Sequence, residues 1–277
     1  MRQPSVRRRR KALICCGICM ALTVGIAAYT LFLSWGEPNA EAVGSSGQTP
    51  DLGGPSVPPE DSEFLRTEPV EVDGIDPSLP VIALTVDDSV TALTYEYCRV
   101  MEENGCAATF FTVGYLAEEE PETLKVLAEA GMEIGNHSYS HQQLVGLSGE
   151  KIWQQVSKAD ELLEQLSGEA PALMRPPYGR VNQDVLDAAG HPVILWSVDA
   201  QDAVASSSDE VLNRLLSAED GDIVRVHDGI PLTLDALEEG LPVLREAGIQ
   251  VTTVSNLFAV RGYVLQDGRK YRALPAE

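Results

Sequence analysis

Short apolar runs alternate with stretches of helical spacing from residue 81 to residue 254. Residues 81–86 and 193–198 have the β-branched and apolar character of buried strands, whereas residues 148–166 have the spacing of a long helix. Alternation of this kind predicts parallel strands that are covered by helices, which is an α/β fold. The pattern alone does not separate a closed barrel from an open sheet.

Two adjacent acids, Asp87 and Asp88, directly follow the first strand-like run. Chemistry in parallel sheets gathers at the carboxyl ends of strands, which is where these residues fall. Because successive side chains of an extended chain alternate in direction, both carboxylates cannot point at one metal ion. One would bind a metal and the other would act as a base. The alternative is a strand that ends in two solvated acids.

His137 and His141 lie four residues apart and are two of only four histidines in the chain. On one turn of helix this spacing places both imidazoles on the same face. Both rings could then reach one metal ion, since neutral imidazole is the commonest protein ligand for zinc. The alternative is a solvated or capped pair on the surface.

Five short motifs together resemble those of the polysaccharide deacetylase family (the NodB-homology domain, carbohydrate esterase family 4). They occur in the family's order at residues 85–89 (TVDDS), 137–141 (HSYSH), 175–179 (RPPYG), 196–202 (WSVDAQD) and 226–228 (VHD). The resemblance covers about residues 80–260 and implies a distorted (β/α)7-type barrel.

The resemblance implies a metal site of one carboxylate and two imidazoles, formed by Asp88, His137 and His141. Three protein ligands leave positions open for water and substrate. Zinc is the first expectation, and cobalt, nickel or iron could occupy the same ligands.

The resemblance also implies the groups that move protons. Asp87 is expected to be the general base, which Arg175 would hold ionised and oriented. The backbone N–H of Tyr178 would face the developing oxyanion. His227 is expected to be the general acid, with Asp202 raising its pKa and fixing its tautomer.

Several residues depart from the family's pattern, among them Val90 in place of Pro and, as a milder change, Met174 in place of Phe. Ser89 stands where the family has Gly, and a positive φ there would suit Ser poorly. Ala203 replaces an aromatic Trp and removes a wall of the substrate groove. Arg225 replaces an apolar residue, and we expect it to meet Asp202 or Asp199, in the first case competing for the carboxylate that the general acid needs.

The amino-terminal segment predicts a membrane anchor. Residues 1–11 carry six Lys or Arg and no acid, and they precede an uncharged run over residues 12–35. This run exceeds the roughly 20 residues that cross a bilayer as a helix. The positive-inside rule places residues 1–11 in the cytoplasm and the remainder outside. A cleaved signal peptide, with cleavage near residues 40–42, is the alternative.

The remaining domain boundaries follow from the composition of the segments between them. Residues 36–79 are rich in Gly, Pro, Ser and acids and predict a disordered linker. Residues 80–261 form the catalytic domain. Residues 262–277 form a tail in which Asp267 and Gly268 predict a small hairpin. Cys98 and Cys106 form either one disulfide or two buried thiols.

The net charge of the chain limits the classes of molecule that it can bind. With 20 Lys and Arg against 42 Asp and Glu, the net charge is -22, which repels nucleic acid. We expect a monomeric, membrane-anchored enzyme that removes N-acetyl groups from N-acetylglucosamine in a cell-wall glycan, peptidoglycan first. An O-deacetylase of another polysaccharide and a degenerate glycan-binding domain are the alternatives.

Overall fold

The structure is a computed structural model that describes residues 64–275. The predicted anchor and the start of the predicted linker lie outside these residues. The strands are β1 (Leu65–Arg66), β2 (Val81–Ser89), β3 (Thr109–Thr112), β4 (Glu133–Asn136), β5 (Val193–Ile194), β6 (Val198–Asp199), β7 (Ile223–His227), β8 (Gln250–Thr252), β9 (Tyr263–Val264) and β10 (Lys270–Tyr271).

Helices connect most of these strands. They are α1 (Thr94–Asn104), α2 (Gly114–Glu119), α3 (Pro121–Glu129), α4 (Gly149–Ser167), α5 (Gln183–Ala189), α6 (Ser208–Leu215), α7 (Pro231–Glu246) and α8 (Val254–Val260), with 3-10 turns at Pro177–Gly179 and Asp202–Val204. The long helix α4 begins where the sequence predicts, because the Ser148 side chain accepts a hydrogen bond from the Lys151 amide. No helix within residues 64–275 has the length and hydropathy to cross a bilayer.

The main sheet is parallel, as the alternating pattern predicts. Its strands follow the order β4-β3-β2-β7-β6, and β8 also pairs with β2. Met174 bridges β4 to β5, and β5 pairs with β10 in a separate two-stranded ladder. The α/β prediction is confirmed, whereas closure into a barrel is not: in the described part of the chain no ladder joins β5 to β6.

The central strand β2 is buried on both faces. Ile82, Leu84 and Val86 point into an outer apolar core shared with the surrounding helices. Val81 and Ala83 point inward, into a second apolar cluster. Side chains alternate along a strand, so Thr85 and Asp87 also face inward, on the same side as this inner apolar cluster.

The hairpin predicted within residues 262–277 is wrong. Asp267 and Gly268 do not connect the two strands of one hairpin, because β9 pairs with β1 and β10 pairs with β5. Strand β1 lies within the stretch predicted as a linker, and Phe64 before it packs against Phe258, Tyr263 and Tyr271. Both ends of the described chain therefore pack onto the α/β body.

The two cysteines of the described chain are free thiols. Cys98 is buried and Cys106 is half-buried, and burial raises the pKa of each to about 12. Of the two predicted alternatives, the structure has the thiols.

Candidate active site

The ends of β2 and β7 bring two titratable side chains together. The two strands are parallel neighbours in register, and Asp87 lies opposite His227. Residues paired in this way point to the same face of a sheet, which here is the inner face. A carboxylate and an imidazole therefore share the opening above the inner apolar cluster.

Asp88 leaves the strand in a different direction from Asp87. Its φ is 62°, and the register between β2 and β3 shifts at this point. The positive φ considered for Ser89 therefore lies at Asp88 instead. Ser89 is buried, and its hydroxyl is 2.9 Å from the Thr112 hydroxyl. The departure from Gly at this position is accommodated by a polar contact.

The two histidines follow β4 and do not lie on a turn of helix, which is the geometry considered for their spacing. Residues 137–148 lie in a loop, and Ser138 and His141 have left-handed φ values of 64° and 53°. The Asn136 side chain accepts a hydrogen bond from the Ser138 amide, and Ser138 Oγ accepts one from the His141 amide. These local hydrogen bonds fold the chain so that both imidazoles point the same way.

Asp88, His137 and His141 converge on one point. Asp88 Oδ1 is 3.4 Å from His137 Nε2 and 3.1 Å from His141 Nε2. Burial would raise the pKa of the Asp88 carboxyl, but the two imidazoles outweigh it and hold this pKa well below its usual range. The side-chain contacts thus favour an ionised carboxylate beside the two rings.

The convergent residues fit a divalent cation. Asp88 Oδ1 is buried and has no hydrogen-bond partner in the described part of the chain. His137 Nδ1 is 2.7 Å from the Arg175 carbonyl oxygen, to which it donates in the tautomer that leaves Nε2 free as a ligand. One oxygen and two ring nitrogens are a donor set that zinc and similar metals accept.

Arg175 is fully buried and holds Asp87. Its Nη1 donates to Asp87 Oδ1 at 2.7 Å and to the Thr85 hydroxyl at 2.8 Å. Its remaining donors reach the carbonyl oxygens of Ile194 and Leu195. Since every nitrogen of the guanidinium has a partner, the arginine fixes the orientation of the Asp87 carboxylate.

Asp202 holds His227 through two contacts. Its Oδ1 is 2.7 Å from His227 Nδ1, and its Oδ2 accepts the His227 amide at 2.6 Å and the Thr233 hydroxyl at 2.7 Å. Burial would lower the pKa of the His227 imidazole, but Asp202 outweighs it and the net shift is upward. Nδ1 faces Asp202, so Nε2 is the nitrogen left for a substrate.

Tyr178 and the Asp202–Val204 turn border this opening. The Tyr178 backbone has a φ of 62°, and its ring centroid lies 4.9 Å from that of His141. The Tyr178 side chain is 59% exposed and Val204 is 81% exposed. Ala203 beside it is also exposed, so this turn presents small side chains where the family has Trp.

Of the two carboxylates that Arg225 was expected to meet, the structure has Asp199, so Arg225 does not compete for Asp202. Its Nη2 donates to Asp199 Oδ2 at 2.8 Å, and its guanidinium lies 3.7 Å from the Trp196 ring centroid. The carboxylate of Asp202 stays with His227. The remaining histidine, His191, pairs with Asp160 at 2.9 Å, consistent with a structural role.

Sequence reasoning missed two polar residues that support the site. Thr233 shares Asp202 with His227, but a single Thr in the first turn of a helix gives no signal of its own. Asn136 directly precedes His137, so its position was a usable signal. It fixes the His137 loop through the Ser138 amide.

The chain is similar to proteins of known family. Residues 74–192 match the family described as Polysaccharide deacetylase. The chain is 35% identical over 189 residues to the peptidoglycan-N-acetylmuramic acid deacetylase PdaC of Bacillus subtilis, covering 68% of this chain and 40% of that protein. It is 34% identical over 192 residues to the peptidoglycan-N-acetylglucosamine deacetylase PgdA of Listeria monocytogenes, covering 69% and 41%.

The chain thus spans about two fifths of the length of these curated relatives. The solved structure of the peptidoglycan deacetylase PdaC from Bacillus subtilis covers 68% of this chain and 94% of its own, with a TM-score of 0.65 and 35% identity. The ordered motifs, the parallel α/β fold and the similarity to these proteins lead to one assignment. The chain belongs to the polysaccharide deacetylase family.

Proposed function

We propose that this protein is a metal-dependent deacetylase that hydrolyses the N-acetyl group of N-acetylglucosamine residues in a cell-wall glycan, with peptidoglycan as the first candidate. The observation that carries the proposal is the convergence of Asp88, His137 and His141 beside two buried acid–base pairs. Each pair consists of a group that handles a proton and a partner that fixes it.

Asp88, His137 and His141 would hold the metal, and zinc is the first candidate. A divalent cation at this position would polarise the acetyl carbonyl and lower the pKa of a water molecule. The chain supplies the orientation of the ligands, since His137 is fixed by the Arg175 carbonyl and the His141 backbone by Ser138.

Asp87 would act as the general base. Its carboxylate is buried and bound to Arg175, so it cannot rotate freely. It takes a proton from the attacking water as the new C–O bond forms. The backbone N–H of Tyr178 is proposed to face the oxygen that gains charge in this step.

His227 would act as the general acid. The amine of the sugar leaves only when it is protonated, so the C–N bond breaks as a proton moves from His227 Nε2 to the nitrogen. Asp202 stabilises the protonated imidazole and fixes Nδ1 as its other donor. The products are acetate and a glycan with a free amine.

Two arguments support a cell-wall glycan as substrate. The similar proteins PdaC and PgdA are both named as peptidoglycan deacetylases. The uncharged run over residues 12–35 supports an anchor that holds the domain at the outer face of the membrane, within reach of wall polymer. Deleting residues 1–35 should therefore move the protein from the membrane fraction to the soluble fraction.

The test of the activity uses the full 277-residue chain with zinc and an N-acetylglucosamine oligomer, and it measures acetate. Asp87→Asn should lower kcat by about 10²–10⁴-fold, the usual range for loss of a general base, while metal binding is retained. Asp235→Asn, on the exposed face of α7, is the matched control and should leave kcat unchanged.

Three outcomes would count against parts of the proposal. Undiminished acetate release by Asp87→Asn would reject the assigned base. Release only from an O-acetylated glycan such as acetylated xylan would reject the N-acetyl substrate. Binding of the oligomer without release, in the presence of zinc, cobalt, nickel or iron, would identify a glycan-binding domain without turnover.

A further inference from the structure

A second layer of polar side chains lies directly beneath the site. Thr85 on β2 is paired in register with Arg225 on β7, and Arg225 is paired with Asp199 on β6. Ile223, two residues before Arg225, belongs to the inner apolar cluster, and His227, two residues after it, faces the site. Arg225 therefore points inward, between the inner apolar cluster and the general acid.

The contacts of Arg225 show that it serves the protein rather than a substrate. Its side chain is 15% exposed, Nη2 donates to Asp199, and the guanidinium stacks on Trp196. Its Nε is buried and has no partner within the described residues. Burying a charged group is costly unless it is well paired and hydrogen-bonded, and within the described residues Asp199 is the carboxylate that pairs with Arg225.

Asp199 links Arg225 to the turn that precedes Asp202, the residue that binds the general acid. While Oδ2 accepts from Arg225, Oδ1 accepts a 2.9 Å hydrogen bond from the Gln201 amide. Gln201 has a left-handed φ of 50°, which a non-glycine residue adopts only when its surroundings impose it. The next residue is Asp202, whose direction depends on this turn.

The Arg225 backbone contacts the same turn. Its carbonyl accepts the Ala200 amide at 3.1 Å, so both ends of the residue hold the chain between β6 and Asp202. An apolar residue at position 225 would keep the backbone contact but would leave Asp199 Oδ2 without a donor. Asp199 could then rotate away from the Gln201 amide, and the turn would loosen.

We propose that Arg225 is a positioning residue, which acts through Asp199 and the Gln201 turn to hold the Asp202 carboxylate against His227. The kinetic consequence rests on the proposed deacetylase function. The structural consequence does not, because the contact between Asp202 and His227 exists without substrate.

The kinetic test compares Arg225→Met with Arg225→Lys in the full chain loaded with zinc. Arg225→Met removes the donor to Asp199, and we expect kcat to fall about 10- to 100-fold with KM unchanged, since misplacing a catalytic group by ~1 Å costs about 10² in rate. Arg225→Lys keeps a cationic donor for Asp199 and should restore most of the loss.

The matched control is Arg261→Met. Arg261 also forms a partly buried pair with an aspartate, at 2.6 Å from Asp220 and with 18% exposure. Asp220 contacts the first amide of β2, at the opposite end of the strand from Asp87. This variant should lose stability without losing kcat.

The second readout needs no substrate. The Nδ1 proton of His227, bonded to a carboxylate, gives a downfield imidazole signal in the NMR spectrum, and its loss in Asp202→Asn assigns it. In Arg225→Met this signal should shift upfield or broaden through exchange with water. In Arg261→Met and Arg225→Lys it should stay in place.

An unchanged His227 signal in Arg225→Met would overturn the proposal, whatever happens to kcat. If the parent protein releases no acetate but the signal still moves, the deacetylase function fails and the positioning role stands. Should Arg225→Met not fold, Asp199→Asn takes its place. The two contacts of Asp199 use its two different oxygens, and Asn keeps only one of them as an acceptor, so at least one contact is weakened and the same signal should shift.

Discussion

Asp202 accepts hydrogen bonds from four donors, two of them on His227, and leaves only one nitrogen of the His227 ring facing the opening. We predict that Asp202→Asn moves the alkaline limb of the pH profile of kcat to lower pH. A general acid works in its protonated form, which is lost as pH rises through its pKa. Asp202 is the main group that raises the His227 pKa against the effect of burial, so its neutralisation lowers that pKa.

The measurement is kcat for acetate release across the pH range in the parent and in Asp202→Asn. The Asn variant should also lose activity at its own optimum, about 10²-fold, because it no longer stabilises the protonated imidazole. An alkaline limb that stays at the parent position would show that His227 is not the acid, or that Asp202 does not control it.

Asp228, next to the proposed acid, is a buried carboxyl that the mechanism does not use. It accepts hydrogen bonds from Thr91, Thr94 and the Gly229 amide, but burial still raises its pKa to about 6. The folded state therefore holds this proton more tightly than the unfolded state. The stability that Asp228 contributes is present below about pH 4 and is lost as pH rises to about 6.

We predict that Asp228→Asn gains stability relative to the parent as pH rises. A shift from 3.8 to about 6 corresponds to about 3 kcal/mol, so the difference in unfolding free energy should grow by up to that amount between pH 4 and pH 7. Urea unfolding at both pH values measures it. A difference that does not change with pH would contradict a raised pKa at Asp228.

At the scale of elements, the loop after β4 carries two of the three convergent ligands. Asn136 organises this loop: its Oδ1 accepts the Ser138 amide, and its Nδ2 donates to Val156 and Asp160 on α4. We predict that Asn136→Ala weakens zinc binding about 10- to 100-fold, the usual effect of removing a group that orients metal ligands.

Competition with a chelator of known affinity would measure this change. The matched control is Asn182→Ala, which removes the side chain that caps α5. Loss of that cap should lower stability by about 0.5–2 kcal/mol and leave zinc affinity unchanged. Equal zinc affinity in Asn136→Ala and the parent would mean that the His137 loop holds its shape without the asparagine.

The sequence predicted the strands of the site better than its loops. Strand β2 and the acids at its end follow from composition and from the alternation of side chains, because both are local properties. The shape of the His137 loop did not follow from the sequence, because four-residue spacing is ambiguous without tertiary contacts. Its shape depends on the Gly114 amide, which donates to Ser138, and on Gln155, which binds Ser140.

The same limit applies to the partner of Arg225 and to the tail. Alternation along β7 correctly indicates that Arg225 faces the interior, but it cannot choose between Asp199 and Asp202, which lie three residues apart. An Asp-Gly pair predicts a turn, but only the fold shows that β9 and β10 pair with β1 and β5 instead of each other. Contacts between distant segments decide both cases.

Over the whole molecule, polarity increases along the inner face towards the carboxyl ends of the strands. On β2 the inward side chains change from Val81 and Ala83 to Thr85 and then Asp87, and on β7 they change from Ile223 to Arg225 and His227. The apolar end stabilises the fold, and the polar end has the charges that the proposed chemistry uses. A metal at the polar end would link binding to folding, since its ligands come from β2 and from the loop after β4.

We therefore predict that zinc raises the melting temperature of the full chain. A ligand that binds only the folded state stabilises it by about 2.7 kcal/mol at 100 times its Kd. For a domain of this size, each kcal/mol moves the melting temperature by about 2–4 °C, so the expected rise is roughly 5–10 °C. Asp88→Ala should abolish this rise because it removes a ligand, whereas Asp87→Asn should keep it because Asp87 contacts Arg175 instead.

A rise in melting temperature of the same size in Asp88→Ala would show that the metal binds elsewhere. If zinc, cobalt, nickel and iron all fail to raise the melting temperature of the parent, the metal site itself is refuted.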